Sequence, residues 1–254
     1  MPKMQVLGVG TSGFVSQQSD SETTVIKQIF PSFDAELKVE VQVYELLGDH
    51  PRIAKFHGPV DQGFILQYYS HGSIFKFRLH HLEVPLLKWS EQIAEGLAYL
   101  HSKKVIHCDF RPDNALVTDT NDVVLIDFGS AMLDGVKPSK IVASHRYRPA
   151  SFGERGYSIT VKDDLFAFGS VMYYLATRRE PYGDKTAEEV VDLYAKGKFP
   201  DVATLPVGEV IMNCWLGEYS SASNALEDIR KCIYSPICEL GSDSDAFTNN
   251  LVSK

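Results

Sequence analysis

The stretch His107-Cys108-Asp109-Phe110-Arg111-Pro112-Asp113-Asn114, followed by Asp127-Phe128-Gly129 at the end of the apolar run Val123-Val124-Leu125-Ile126, decides how this chain is read. It carries two carboxylates and one amide of possible chemical use. Asp109 and Asn114 stand five positions apart in one predicted loop, and Asp127 follows the strand expected to pair beside that loop. Three such side chains can converge on one metal-chelated triphosphate and one substrate hydroxyl, which is the layout of a phosphoryl-transfer site.

Toward the N-terminus, residues 6 to 29 read as strand, glycine turn, strand, polar turn and strand, with Ser16 to Glu22 as the expected hairpin tip. Gly8-Val9-Gly10-Thr11-Ser12-Gly13-Phe14-Val15 is a G-x-G-x-x-G-x-V string in which missing side chains let backbone N–H groups approach phosphates. A dinucleotide-binding turn would open a helix at its third glycine, whereas Phe14-Val15 leads into another extended segment. A flap over a triphosphate fits better, with a plain β-turn as the bland alternative. In Thr24-Val25-Ile26-Lys27-Gln28-Ile29 the alternation sends Val25 and Lys27 to one face. Lys27 is either a solvated strand lysine or a clamp on phosphates held by a helix glutamate.

That helix is expected from Asp34 to about Leu47, capped by Asp34 or Ser32 and ended by Gly48. Glu36 and Glu40, one turn apart, compete for Lys27. The residue four beyond the true partner should pack on Phe128; Glu36 would put charged Glu40 there, whereas Glu40 puts Tyr44 there, so Glu40 is chosen. Strands are expected near Ile53 to Phe56 and Phe64 to Gln67, and residues 67–73 read as a hinge. Beyond it, Leu86, Trp89, Ile93, Leu97 and Leu100 predict a long helix. Further helices are predicted over Asp164 to Ala176, Ala187 to Ala195, Val207 to Trp215 and Ser223 to Ile233, and residues 235–254 read as a disordered tail.

Taken together, residues 7 to 233 resemble a eukaryotic-type protein kinase domain: glycine loop, lysine, helix glutamate, H-x-D-x-x-x-x-N, D-F-G and D-x-F-x-x-G (Asp164 to Gly169) occur in order and at family spacing. The resemblance implies an α+β, bilobal fold. Residues 1–66 would form a small antiparallel β-sheet lobe with one helix and residues 74–234 a larger, mainly helical lobe. It implies ATP and Mg²⁺ as cofactors and a protein substrate with a Ser or Thr acceptor. Asp109 would be the catalytic base or hydroxyl-orienting residue, with Arg111, Lys27 and Glu40 also in catalytic roles. Asn114 and Asp127 would hold Mg²⁺. Leu7, Gly8, Gly10, Gly13, Val15 and Lys27 would contact the nucleotide, Leu66 would sit at the gatekeeper position, and Gln67 and Tyr69 would offer backbone groups to adenine. Asp164 would brace the catalytic loop.

Arg111 stands where serine/threonine kinases carry Lys; it keeps the positive charge but offers a planar fork. Tyrosine kinases that carry Arg there follow it with Ala-Ala, whereas this chain has Pro112-Asp113. Three departures from the family pattern stand out. Cys108 replaces the arginine of H-R-D, which pairs with a phosphorylated activation segment, and a thiol cannot do so. Ser151 and Ala222 replace a glutamate and an arginine that normally pair. Losing one partner of a buried ion pair costs roughly 3–5 kcal/mol, whereas losing both can be nearly neutral, so a rebuilt contact is expected there, with Glu154 or Arg148 as substitutes. Two other readings exist: an aminoglycoside-type small-molecule phosphotransferase, which shares the Ile126-Asp127-Phe128-Gly129-Ser130-Ala131 pattern, and a nucleotide-binding pseudokinase scaffold.

Composition bounds these readings. With 25 Lys and Arg against 33 Asp and Glu among 254 residues, the formal charge of -8 offers no footprint for nucleic acid or an anionic membrane surface. The N-terminus lacks a secretory signal and no run of about 18 apolar residues occurs. The four cysteines show no zinc-type spacing, so reduced thiols in a soluble cytoplasmic or nuclear protein are expected. With seven residues before Gly8, the chain reads as a compact stand-alone catalytic domain controlled by partners, by localisation or by the segment from Asp127 to Ser151.

Overall fold

The computed structural model describes residues 4–18, 21–137 and 144–234. Alternating apolar residues in the first quarter of the chain build a five-stranded antiparallel sheet from β1 (Met4–Val9), β2 (Gly13–Gln18), β3 (Thr24–Ile29), β4 (Phe56–Val60) and β5 (Gly63–Gln67). The order β1-β2-β3-β5-β4 makes β3 the central strand. Its register places Lys27 between Val15 and Phe64, and Val25 opposite Leu66. Directly opposed residues share a face, so these side chains line one side of the sheet.

Helix α1 (Asp34–Leu47) buries a single stripe, Glu40, Val43, Tyr44 and Leu47, and stops where Gly48 adopts φ 58°. Its start differs from expectation. A 3-10 turn, Pro31–Phe33, leads in, and neither Ser32 nor Asp34 caps the helix; Phe33 holds the cap position without a side-chain bond. The proline favours the tight turn over an open cap. Two strand expectations also shift. Ser16, Gln17 and Gln18 belong to β2 rather than to a hairpin tip. The strand anticipated near Ile53 is instead one bridge from Ile53 to Leu125, with β4 starting at Phe56.

The remainder is mainly helical: α2 (Ile74–His80), α3 (Leu86–Ser102), α4 (Val161–Thr177), α5 (Ala187–Ala195), α6 (Gly208–Leu216) and α7 (Ala222–Tyr234). Two short ladders, β6 (Val105–Ile106) with β9 (Met132–Leu133) and β7 (Ala115–Val117) with β8 (Val123–Leu125), carry the loops that face the sheet. The seven-residue α2 was not anticipated; its Ile and Phe residues suit a strand as well as a helix, and the Ser73 hydroxyl caps it by accepting from Lys76 N–H. Helix α4 starts three residues earlier than its apolar pattern suggests, because Thr160 and Asp163 form a capping box.

Trp89, Ile93, Leu97 and Leu100 of α3 are fully withdrawn from solvent together with Phe168, Val171 and Met172 of α4. Each such side chain contributes roughly 1.5–3 kcal/mol by burial, which makes the pair a firm base for the loops above it. No helix among the described residues is long and apolar enough to cross a membrane. Cys108 and Cys214 are buried free thiols. The tail expected to be disordered lies outside the described residues.

Candidate active site

A cavity of about 640 Å³ opens between the sheet and the helical part. The residues expected to bind nucleotide or metal or to act in catalysis line it: Leu7, Gly8, Gly10, Gly13 and Val15 from β1, β2 and their turn, Lys27 from β3, Glu40 from α1, Gln67 at the end of β5 and Tyr69 after it, and Asp109, Arg111, Asn114 and Asp127 from below.

The three glycines have different reasons to be glycine. A Cβ on Gly13 would lie 2.0 Å from the Gln28 carbonyl oxygen, so the close approach of β2 to β3 dictates that residue. A Cβ on Gly8 would meet nothing within 4 Å, and one on Gly10 only the Gly13 carbonyl at 3.8 Å. Strand packing leaves both positions free to accept a side chain.

Lys27 Nζ donates to both oxygens of Glu40, each at 2.8 Å, and to Asp127 Oδ1 at 2.7 Å. One ammonium thus faces two carboxylates. Burial alone would lower the Lys27 pKa, but Asp127 and Glu40 outweigh it and hold the group protonated well above its ordinary range. Burial pushes Glu40 up to about 7 against the pull of Lys27. Asp127 also feels burial, yet Lys27 keeps its carboxyl below the usual carboxylate range. Asp127 is therefore the firmly ionised member.

The loop below is fixed from its backbone. Asp164, 1 % exposed, accepts His107 N–H at 2.8 Å on one oxygen and Cys108 N–H at 3.0 Å on the other. His101 Nε2–H donates to the same carboxylate at 2.9 Å. His101 extends the three-four spacing of α3 one step past Leu97, and that spacing is the sequence signal for its inward position. His107 Nε2–H reaches the Ile126 carbonyl at 3.0 Å, tying the loop to the strand end that carries Asp127. Cys108 and Asp127 both take positive φ, 62° and 69°, a conformation disfavoured for residues with a Cβ. These two non-glycine residues store backbone strain beside the cavity.

Asn114 Nδ2 donates to the Asp109 carbonyl at 2.7 Å and lies 3.5 Å from its carboxylate, while Arg111 Nε stands 3.9 Å from that carboxylate. Burial holds the Asp109 carboxyl above the ordinary carboxylate range, against the opposing pull of Arg111. Behind the charges runs a column of rings: Phe56 stacks on Tyr44 at 5.2 Å, Tyr44 meets Phe128 at 4.9 Å, and Phe128 meets His107 at 5.3 Å. The column joins β4, α1 and the two loops of the lower part; Phe56 had no distinguishing mark in the sequence.

The donor set fits a magnesium-bound nucleotide. Among the described residues no group of three or more His, Cys, Asp or Glu side chains is placed to hold a metal. Mg²⁺ in phosphate chemistry needs only one or two protein ligands beside phosphate oxygens, and Asp127 with Asn114 supplies that number. The Tyr69 N–H has no partner among the described residues and borders the cavity, where a base edge can accept from it.

The departures from the family pattern have structural counterparts. Cys108 is buried, with its thiol 3.4 Å from the Ile106 carbonyl, and burial followed by the neighbouring Asp164 carboxylate raises its pKa, so no cation stands at that position. Neither Glu154 nor Arg148 replaces the missing ion pair among the described residues; Arg148 instead lies over the Phe152 ring at 5.5 Å. A neutral chain of hydrogen bonds ties neighbouring elements together. Trp215 Nε1–H donates to Ser170 Oγ at 3.0 Å, and Ser170 Oγ–H donates to the Arg146 carbonyl at 2.7 Å, joining α6, α4 and the segment before Pro149.

Comparison with known proteins agrees with this geometry. The family model "Protein kinase domain" matches residues 1–233, and the chain belongs to that family. It is similar to mitogen-activated protein kinase kinase kinase 13 of Mus musculus, 30% identical over 198 residues, covering 74% of this chain and 20% of that protein. It is 29% identical over 227 residues to mitogen-activated protein kinase kinase 9 of Arabidopsis thaliana, covering 81% of this chain and 69% of that protein. Receptor tyrosine-protein kinase erbB-4 of Homo sapiens is 29% identical over 191 residues, covering 66% of this chain and 14% of that protein. The chain thus spans about a fifth of the length of the first of these relatives. By name, these relatives include kinases of mitogen-activated protein kinase kinases, of mitogen-activated protein kinases and a receptor tyrosine-protein kinase.

Proposed function

We propose that this chain is an ATP-dependent protein kinase that transfers the γ-phosphoryl group to Ser or Thr of protein substrates. One observation carries the reading: Lys27 is hydrogen-bonded at once to Glu40 and Asp127 across a cavity whose floor holds Asp109 and Asn114. In this reading residues 1–66 and 74–234 are the two lobes of one catalytic domain and residues 67–73 the hinge. The glycine turn covers the phosphates, Lys27 donates to them, and Glu40 fixes the lysine. The Tyr69 N–H and the Gln67 carbonyl orient the base. Asn114 and Asp127 hold Mg²⁺, which when bound neutralises charge developing on the transferred group. Asp109 accepts the proton of the acceptor hydroxyl, a task aided by its raised pKa. Arg111 keeps a positive charge beside Asp109. Pro112-Asp113 after Arg111 favours a Ser or Thr acceptor. The buried free thiols of Cys108 and Cys214 suit a reducing compartment, the cytoplasm or nucleus.

The test is transfer of labelled γ-phosphate to a peptide array followed by phosphoamino-acid analysis. Phosphoserine or phosphothreonine is expected, with Asp109→Asn lowering turnover about 10²–10⁴-fold while Mg²⁺-ATP binding is retained. Asp127→Asn should weaken binding as well. A protein that binds Mg²⁺-ATP but labels nothing would be a scaffold, and label on tyrosine alone would overturn the acceptor class.

A further inference from the structure

Helix α7 reaches the active site through a chain of charges. Arg230 Nε–H donates to Glu91 at 2.7 Å and Arg230 Nη2–H to Glu95 Oε1 at 2.9 Å. The second oxygen of Glu95 accepts from Arg52 Nε–H, also at 2.9 Å. One carboxylate on α3 is thereby shared by two arginines, one from the C-terminal helix and one from the loop after α1.

That loop holds both halves of the charged centre. The Arg52 carbonyl accepts Leu125 N–H at 2.9 Å, and Ala54 N–H donates back to the Leu125 carbonyl at 3.1 Å, gripping β8 two residues before Asp127. On its other side, Tyr99 Oη–H donates to the Leu47 carbonyl at the end of α1, and the His50 ring lies nearly parallel to Tyr99 at 3.8 Å. There is little slack between α3 and the loop: a Cβ on Gly96 would stand 2.8 Å from Leu125 Cδ1 and 3.3 Å from Arg52 Cβ.

We propose that Arg230 is a positioning residue for the Lys27–Glu40 pair, acting through Glu95 and Arg52 on the loop that anchors α1; the kinetic part of this inference rests on the kinase reading of the site. Glu91 and Glu95 are one turn apart on α3, where like charges repel. Arg230 bridges them and fixes the Glu95 rotamer. Without it Glu95 turns away from its neighbour, and Arg52 loses an acceptor that is already in place. The loop then loosens at the point where it fixes the end of α1, the helix that carries Glu40. The groups are partly exposed, Arg230 at 45 % and Arg52 at 20 %, so the coupling is modest and sensitive to salt.

The experiment is a double-mutant cycle with Arg230→Met, Arg52→Met and the pair, read by hydrogen exchange and by kinetics. Backbone exchange in residues 34–47 should quicken about two- to fivefold in each single variant, the range of a partly exposed ion pair, while exchange in α6 is unchanged. The double variant should match the singles rather than multiply them. Arg230→Lys should restore most of the protection. The KM for ATP should rise in the same proportion, with kcat changing less. Unchanged exchange in α1, or equal quickening in α6, overturns the relay whether or not the protein transfers phosphate. Changed exchange in a protein that transfers none upholds the relay and overturns only the kinase reading.

Discussion

Tyr44 and Phe128 meet edge to face with their ring centroids 4.9 Å apart, although 84 residues separate them in the chain. Tyr44 stands four positions after Glu40 and Phe128 directly follows Asp127, so one aromatic contact holds the two carboxylates that flank Lys27 in mutual register. Edge-to-face pairs are favourable beyond the area they bury, and Tyr44 is 1 % exposed.

Replacing Tyr44 by Ala removes the centre of the ring column and leaves a cavity among Phe56, Phe64 and Phe128. Denaturant unfolding should register a loss of about 3–5 kcal/mol. Tyr44→Phe keeps the rings and should lose far less stability.

The glycine loop should divide under substitution. Gly13→Ala drives a methyl group into the Gln28 carbonyl and should destabilise the protein by at least about 1–3 kcal/mol, visible as a lower melting temperature. Gly8→Ala should leave the melting temperature within a degree or two, since the added methyl group meets nothing in the protein. Its effect should appear as a higher KM for ATP. Equal melting temperatures for the two variants would refute the distinction.

Two acid groups give opposite pH signatures. Asp109 must be ionised to accept a proton, and its pKa stands above the ordinary range, so turnover should fall as the pH drops through that raised value, earlier than for an exposed aspartate. Glu40 rises from 4.5 unfolded to about 7 folded. A raised folded-state pKa means the native protein holds the proton more tightly, so its stabilising contribution is complete below pH 4.5 and is lost as the pH rises to about 7. Unfolding curves for Glu40→Gln and the wild type, taken across that window, should show this slope in the wild type alone.

Phosphatase treatment should leave turnover unchanged, because the position that would answer a phosphate on the activation segment is the buried thiol of Cys108. Loss of activity on dephosphorylation, restored by Ser144→Glu, would show that another cation has taken over that role.

Much of the site was legible because its signals are local. The spacing of Asp109 and Asn114, the strand before Asp127, and the three-four pattern that placed Tyr44 behind Glu40 each follow from a few neighbouring residues. The packing argument for Glu40 over Glu36 works because helix periodicity and side-chain charge are both printed in the sequence. What escaped depends on distant partners. Phe56 becomes part of the ring column only when β4 pairs with β5, and Ile53 leaves the strand because Leu125, far along the chain, claims it. Helix α2 is short and rich in β-formers, so its tertiary setting decides its form. The hydrogen bonds from Trp215 to Ser170 and from Ser170 to the Arg146 carbonyl join residues far apart in the chain, and no pairing of charges in the sequence could announce them.

The close approach at Gly13 gives the flap over the cavity a fixed root. Phe30 N–H also holds the Ser12 carbonyl at 2.8 Å, and Gly10 N–H closes on the Gly13 carbonyl at 2.8 Å. Any lifting of the flap must therefore pivot ahead of Gly13, with Thr11 at its free edge. In the kinase reading, nucleotides would enter and leave by a short swing of the tip while the face presented by Val15 stays fixed.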